Sequence, residues 1–196
     1  MPFPAPPYRI DTARCFLRVP DERDLPALYA IHSMEEVNRY LPYALWTAMA
    51  DADAWLARAR SRLQNEEALQ FAIIDKTSDA FVGSCVLFRF DREQGLAEIG
   101  YALGKPFWGK GYMREVLPAL IRYAFRDLDV RRLEASVDSD NLASHRLLLD
   151  LGFEHEGMRR KNWINKGRIV DSNIYGLLRN EYRSADNASD LPGDTI

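Results

Sequence analysis

The sequence predicts a mixed α/β domain, a sheet with helices packed on it. Strand-like and helix-like segments interleave along the 196 residues. Their order is strand, helices, antiparallel strands, strand, helix, strand, helix, two strands. One strictly alternating segment, "LAEIGYAL" (96–103), leads into a single apolar stripe at helical spacing that runs from Met113 to Leu128. No internal period points to a repeat architecture.

Residues 1–8 carry four prolines and read as part of an extended arm over 1–9, so the domain is expected to span 10–182. "RCFLRV" (14–19) is the first expected strand. Helical spacing follows over 24–41, with a break expected in the middle, and Thr47 is placed to cap a longer helix in which Trp55, Ala59 and Leu63 share a face. "LQFAIID" (69–75) and "AFVGSCVLFRF" (80–90) form a hairpin around the turn residues "KTSD". In 96–103, Ala97, Ile99, Tyr101 and Leu103 lie on one face and Glu98, Gly100 and Ala102 on the other. Pro118 stands inside the following helix, where it removes a backbone hydrogen bond and predicts a kink. "RRLEASV" (131–137) is a strand. "NLASHRLLLDLGF" holds a short helix with Asp140 or Asn141 as its N-cap and Gly152 as its stop. Two closing strands flank the turn "NKG", and 183–196 read as a disordered tail.

Composition limits the function classes. A net charge of −3 gives no global footprint for nucleic acid or an anionic membrane. No apolar run approaches membrane-spanning length, and the N-terminus has no basic region followed by an apolar stretch, so a cytoplasmic protein is expected. Two cysteines, Cys15 and Cys85, form no disulfide or metal framework. Cys85, within "FVGSCVLF", is expected to be a buried free thiol.

The loop "GKPFWGKGYMREV" (104–116) carries the chemistry. Gly104, Gly109 and Lys110 imitate a P-loop, but Gly111 stands where a P-loop places the Ser or Thr that binds Mg²⁺. The alternative keeps the backbone and drops the metal. Gly109 and Gly111 allow close approach, and the helix starting near Tyr112 aims unpaired N–H groups and its positive dipole end at the loop. A pyrophosphate can bind there without Mg²⁺. The loop alone does not separate this reading from a plain tight turn before a helix.

The surrounding order carries more. Residues 96–128 resemble motif A of the GCN5-related N-acetyltransferases (GNAT superfamily), in which a strand leads to a Gln/Arg-x-x-Gly-x-Gly/Ala loop and a long helix. The six loop positions here are Trp108, Gly109, Lys110, Gly111, Tyr112 and Met113. Gly111 matches, and Trp108 and Met113 depart from the general pattern. A narrower resemblance is to the ribosomal-protein alanine N-acetyltransferases, through "EIGYAL", "WGKGY", "EVL", Asn141 with Ser144, "LGF" (151–153), Glu156-Gly157, and Asp171 with Tyr175. The resemblance spans about 10–182. It implies a GNAT-type fold with a central, mostly antiparallel, twisted sheet of about seven strands flanked by helices. It also implies acetyl transfer from acetyl-CoA to a primary amine, here a protein N-terminal α-amine. A small-molecule acceptor (polyamine, amino acid or antibiotic) and a non-catalytic CoA-binding module stay open.

That chemistry needs few groups. An amine attacks a thioester only when neutral. Near pH 7 about a tenth of an α-amine is neutral, against less than about a thousandth of a lysine amine, so an α-amine needs only modest help from a base. Glu98 is the candidate base, flanked by apolar residues and facing the same side as the small Gly100 and Ala102. The competing reading is an ordinary salt-bridged glutamate. Ser144 is the candidate acid, because the resemblance places a serine near the CoA sulfur and "FEHEGM" lacks the tyrosine used by many relatives. A serine bonded within its own helical turn is the alternative. Asn141, one turn earlier, can contact the pantetheine arm, cap the helix, or both. Backbone groups of Tyr101, Ala102 and Leu103 are expected along pantetheine, and those of 108–113 around the phosphates. Glu115 is expected to serve the helix dipole, and His32, His145 and His155 to be structural or surface residues. "NRYLPYALW" (38–46) can wall an acceptor groove or pack in the core, and "RRK" (159–161) can reach the CoA phosphates or be plain exposed charge. No metal is required. Neither nucleic acid nor membrane is expected as a partner, and a homodimer is left open.

Overall fold

The structure, a computed structural model, describes residue 3 and residues 8–182. Most of the proline-rich arm and the tail 183–196 lie outside the described residues. The strands are β1 (Arg9–Asp11), β2 (Cys15–Arg18), β3 (Ala68–Asp75), β4 (Phe81–Asp91), β5 (Leu96–Leu103), β6 (Arg132–Asp138), β7 (Glu154–Asn165) and β8 (Arg168–Leu178). The helices are α1 (Leu25–His32), α2 (Glu35–Asn38), α3 (Met49–Gln64), α4 (Tyr112–Arg126) and α5 (Leu142–Asp150). Short 3₁₀ turns occupy Glu22–Asp24 and Lys105–Phe107.

The eight strands form one sheet in the order β1-β2-β3-β4-β5-β6-β8-β7. This is one strand more than expected. The addition is β1, which takes Arg9 out of the arm and pairs it with Arg18. Every neighbouring pair is antiparallel except β5 and β6, which run parallel. Their ladder has only three rungs, Leu96–Arg132, Ala97–Leu133 and Glu98–Glu134. Beyond Glu98 and Glu134 both strands continue, to Leu103 and Asp138, without pairing to each other. The sheet therefore splits into a β1–β5 half and a β6–β8–β7 half.

Alternation along β3 sends side chains into two cores. Phe71 and Ile73 join the larger one beneath α4, with Val116, Leu117, Leu120, Ile121 and Ala124. Ala72 and Ile74 join the other, beneath α1 and α3, with Leu28, Ala52, Leu56, Trp46 and Trp55. The apolar stripe of α4 is thus buried as its spacing requires, and the helix runs through Pro118, whose carbonyl accepts from the Tyr182 hydroxyl at 3.0 Å. Cys15 and Cys85 are buried free thiols, one under each of β2 and β4.

One expectation about the helices holds and one changes. The segment 24–41 breaks at Ser33–Met34 into α1 and α2. Thr47 does not cap α3. Ala48 holds the cap position, and Asp51 in the first turn accepts from the N–H groups of both Thr47 (2.8 Å) and Ala48 (3.0 Å). A carboxylate at the third helical position supplies what the threonine was expected to supply.

Candidate active site

The loop after β5 is built around two left-handed glycines. Gly109 has φ 71° and Gly111, immediately before α4, has φ 80°. A β-carbon at Gly109 would meet nothing within 4 Å, and one at Gly111 would meet only the Arg14 guanidinium at 3.5 Å. Glycine is required here by backbone conformation, and the space beside it is open. No side chain caps α4. Its first N–H groups face the loop, together with the positive end of a 15-residue helix.

The opposite side of the loop is anchored. Glu115 accepts from Thr12 Oγ1, the Arg14 N–H and Arg14 Nε, each at 2.6 Å. Burial alone would push this carboxyl up. The bonds from Thr12 and Arg14 outweigh it and hold Glu115 below its ordinary value. Arg14 also donates to the Lys110 carbonyl (3.1 Å) and lies 4.8 Å over the Tyr112 ring. Tyr112 donates to Asp75 at 2.9 Å. Asp75, bonded first by Ser78 and then by Tyr112, is held down to about 2. The Trp108 indole donates to the Leu103 carbonyl at 2.7 Å, so that acceptor, expected to face pantetheine, already has a protein partner.

Glu98 occupies the last β5–β6 rung, at the apex of the split. Its face is the expected one, since a β-carbon on Gly100 would touch Val86 and Phe88 at 3.1 and 3.5 Å, away from the α4 core. The carboxylate is ion-paired. Arg89, left-handed (φ 51°) beside a β4 bulge, donates to it at 2.7 Å. The Glu98 side chain is 14% exposed and that of Arg89 65%, so the carboxylate is sheltered and its partner lies in solvent.

Ser144 approaches β5 from the other face. Asn141 is the N-cap of α5, and its Oδ1 accepts from the Ser144 N–H at 3.2 Å. Ser144 is buried, and its Oγ lies 2.6 Å from the Tyr101 hydroxyl. Burial pushes the Tyr101 phenol up to about 12. Strand alternation puts Tyr101 opposite Glu98, so Glu98 and Ser144 stand on opposite faces of β5, beside the split. The Tyr101 hydroxyl was not foreseen. Only its backbone was singled out, and no local signal marks a contact between residues 43 apart in the chain.

The far end of the split is bridged. Lys166, in the β7–β8 turn, donates to the carbonyls of Asn38 (2.6 Å), Leu41 (3.0 Å) and Arg39 (3.4 Å) at the end of α2. Tyr40 donates to the Asp140 carbonyl at 3.1 Å. These bonds join the β1–β5 half to the β6–β8–β7 half. The split becomes a window with Glu98 at one corner and a cross-bar at the other end. The aromatic segment 38–46 divides its roles: Tyr40 belongs to the cross-bar, while Trp46 packs in the core beside His32 at 4.5 Å between ring centroids. His145 is held by Tyr175 (2.6 Å) and the Asp138 carbonyl (3.1 Å), and His155 contacts Asn173. Arg159, Arg160 and Lys161 are exposed.

A split sheet, an open glycine cradle and a sheltered carboxylate suit the transfer of an acyl group, and the class is set by the family match. Residues 14–154 match the model of the acetyltransferase (GNAT) domain family. The chain belongs to the GNAT family and is an acetyl-CoA-dependent N-acetyltransferase. It is 36% identical over 171 residues to an uncharacterized N-acetyltransferase, p20, of Bacillus licheniformis, covering 87% of this chain and 96% of that one. Among solved structures, the microcin C7 self-immunity acetyltransferase MccE, in complex with acetyl-CoA and AMP, is 27% identical, with a TM-score of 0.76 and coverage of 84% of this chain and 92% of that one. RimL, a ribosomal L7/L12 α-N-protein acetyltransferase in complex with coenzyme A, shares the fold at a TM-score of 0.80 and 23% identity, over 87% of this chain and 98% of that one. Among the described residues no helix is long and apolar enough to cross a membrane.

Proposed function

We propose that the enzyme acetylates a protein N-terminal α-amine. The observation that carries this reading is the window in the sheet, with a sheltered carboxylate at its apex and an anchored, uncapped helix start alongside. The cradle suits a pyrophosphate, because its glycines hold left-handed backbone with open space beside them. Backbone N–H groups of the loop 108–113, from Gly109 onward, hold the diphosphate of acetyl-CoA, because the Trp108 N–H is taken by the Lys105 carbonyl. The β5 edge at Tyr101 and Ala102 that faces away from β4 runs along pantetheine, with Leu103 at its end. Asn141 fixes the α5 start, from which Ser144 faces the thioester.

Glu98 takes the proton from the incoming ammonium, directly or through water, and Arg89 is its ion-pair partner. The neutral nitrogen attacks the thioester carbon, the C–S bond breaks, and the second nitrogen proton passes to solvent water as the amide forms. A thiolate, whose thiol pKa is about 8.5, leaves with no more than a hydrogen bond from Ser144. Replacing Glu98 with Gln is expected to lower kcat by about 100-fold at pH 7, with a smaller loss at higher pH, where more amine is already neutral. An unchanged pH–rate profile would remove Glu98 from the role.

A small-molecule acceptor is the second reading. It is favoured by the cross-bar of Lys166 and Tyr40, which limits the width of the window, and by the likeness to MccE. Release of free CoA should be followed with acetyl-CoA and matched panels of N-terminal peptides and small amines. Turnover confined to small amines would overturn the peptide reading, and tight CoA binding without turnover on either panel would leave a CoA-binding module.

A further inference from the structure

We propose that Tyr101 is a positioning residue for acetyl transfer: its hydroxyl donates to Ser144 Oγ and turns the Ser144 proton toward the departing thiolate. The inference rests on the acetyl-transfer role given to Ser144 above.

Three observations support that direction. First, the two oxygens are 2.6 Å apart, and both belong to buried or half-buried side chains. Of the two, a phenol is the stronger donor and an alkyl hydroxyl the better acceptor, so the Tyr101 proton lies between them. Second, a serine can send its own proton back to a carbonyl three or four residues earlier. The carbonyl of Asp140 already accepts from the Leu142 N–H (3.0 Å) and the Tyr40 hydroxyl (3.1 Å), and that of Asn141 from the His145 N–H (3.1 Å). Third, the Ser144 N–H is taken by Asn141, which sets the backbone from which Oγ projects. The serine proton is left for a group arriving beside β5, and a hydroxyl that accepts one hydrogen bond donates a stronger one.

In the step itself the amine nitrogen forms the C–N bond, the C–S bond breaks, and its electron pair goes to sulfur. Glu98 has taken one nitrogen proton before attack, and the second goes to solvent water. Ser144 lends the thiolate a hydrogen bond and keeps its own proton. Neither hydroxyl ionises, since a thiol loses its proton near 8.5 while Tyr101 holds its own up to about 12.

The test is a cycle of Tyr101→Phe, Ser144→Ala and the double variant, read as kcat and as KM for acetyl-CoA. Tyr101→Phe should lower kcat by about ten-fold, with KM nearly unchanged, the loss expected for one hydrogen bond acting on the transition state. The double variant should be no slower than Ser144→Ala alone. Losses that multiply, a Tyr101→Phe rate equal to wild type, or a Tyr101→Phe loss larger than that of Ser144→Ala would each overturn the proposal. A second readout guards against a fold defect. Each enzyme sample is offered acetyl-CoA and an acetyl thioester of a more acidic aryl thiol. The ratio of the two rates is independent of the fraction folded. It should move toward the aryl thioester in Tyr101→Phe, because a better leaving group needs less help, and an unmoved ratio would reduce Tyr101 to packing. If wild type transfers acetyl to no acceptor, the functional reading fails. An active wild type with an unaffected Tyr101→Phe sinks only this inference.

Discussion

Two helices start on the same face of the sheet, α4 at Gly111 and α5 at Asn141, and they start in opposite ways. Asn141 closes α5 with its own side chain, which accepts from the Ser144 N–H. Gly111 leaves α4 open, with no side-chain cap and a left-handed backbone that aims the first turn at the loop. A capped start makes a rigid mount for one side chain. An uncapped start is costly unless something else accepts from its N–H groups. In this enzyme the anchor has moved to the back of α4, where Glu115 in the first turn grips Thr12 and Arg14. The front is thereby left open, and the stability a cap would give is recovered from a residue 101 positions away in sequence.

The sharpest way to break this contrast is to place a carboxylate in the open cradle. Gly109→Asp fits the space, and aspartate tolerates left-handed backbone at a cost of about 1 kcal/mol. CoA affinity by calorimetry should fall by about 100-fold or more, while the apo protein still melts cooperatively. Unaltered CoA binding would mean the cradle is an ordinary turn. Next in size, Glu115→Gln should cost about 1.5–2 kcal/mol at pH 7, from the loss of charge-assisted bonds to Thr12 and Arg14. The Glu115 carboxyl titrates below its ordinary 4.5 when folded. Its contribution is therefore complete above that value and lost as pH falls through the folded value. Melting temperatures of wild type and variant should converge in acid. Asn141→Ala should cost about 1 kcal/mol and lower kcat through a loosened Ser144, and Asn141→Asp should restore both to within a few tenths. The smallest effect is expected for Trp108→Phe, which removes only the indole bond to the Leu103 carbonyl, about 1 kcal/mol or less.

The same contrast explains which parts were legible in the sequence. β5 and α4 were readable because each has a local period, two in "LAEIGYAL" and 3.6 in the stripe from Met113, and each buries the face that period marks. The glycine loop was readable because left-handed backbone selects residue type directly. β1 was not, since its three residues follow a proline run and are mostly exposed. Nor were the Glu115 clamp, the Tyr101–Ser144 pair or the Lys166 cross-bar, which join residues 43 to 128 apart. Contacts of that kind depend on the sheet order, and nothing in a local window encodes it. Glu98 was placed on the correct face, but its Arg89 partner depends on a bulge that only the paired strand shows.

The split in the sheet has a consequence for how the chain is written. Every strand of the β1–β5 half precedes α4, and every strand of the other half follows it. The window is therefore an internal seam between two consecutive segments of gene, stitched by three ladder rungs at one end and Lys166 with Tyr40 at the other. Its width is set as the fit of two subunits is set, by side chains along the seam. If the window admits the acceptor as proposed, its range drifts through substitutions at Lys166 or Tyr40 while both cores and the glycine loop stay as they are.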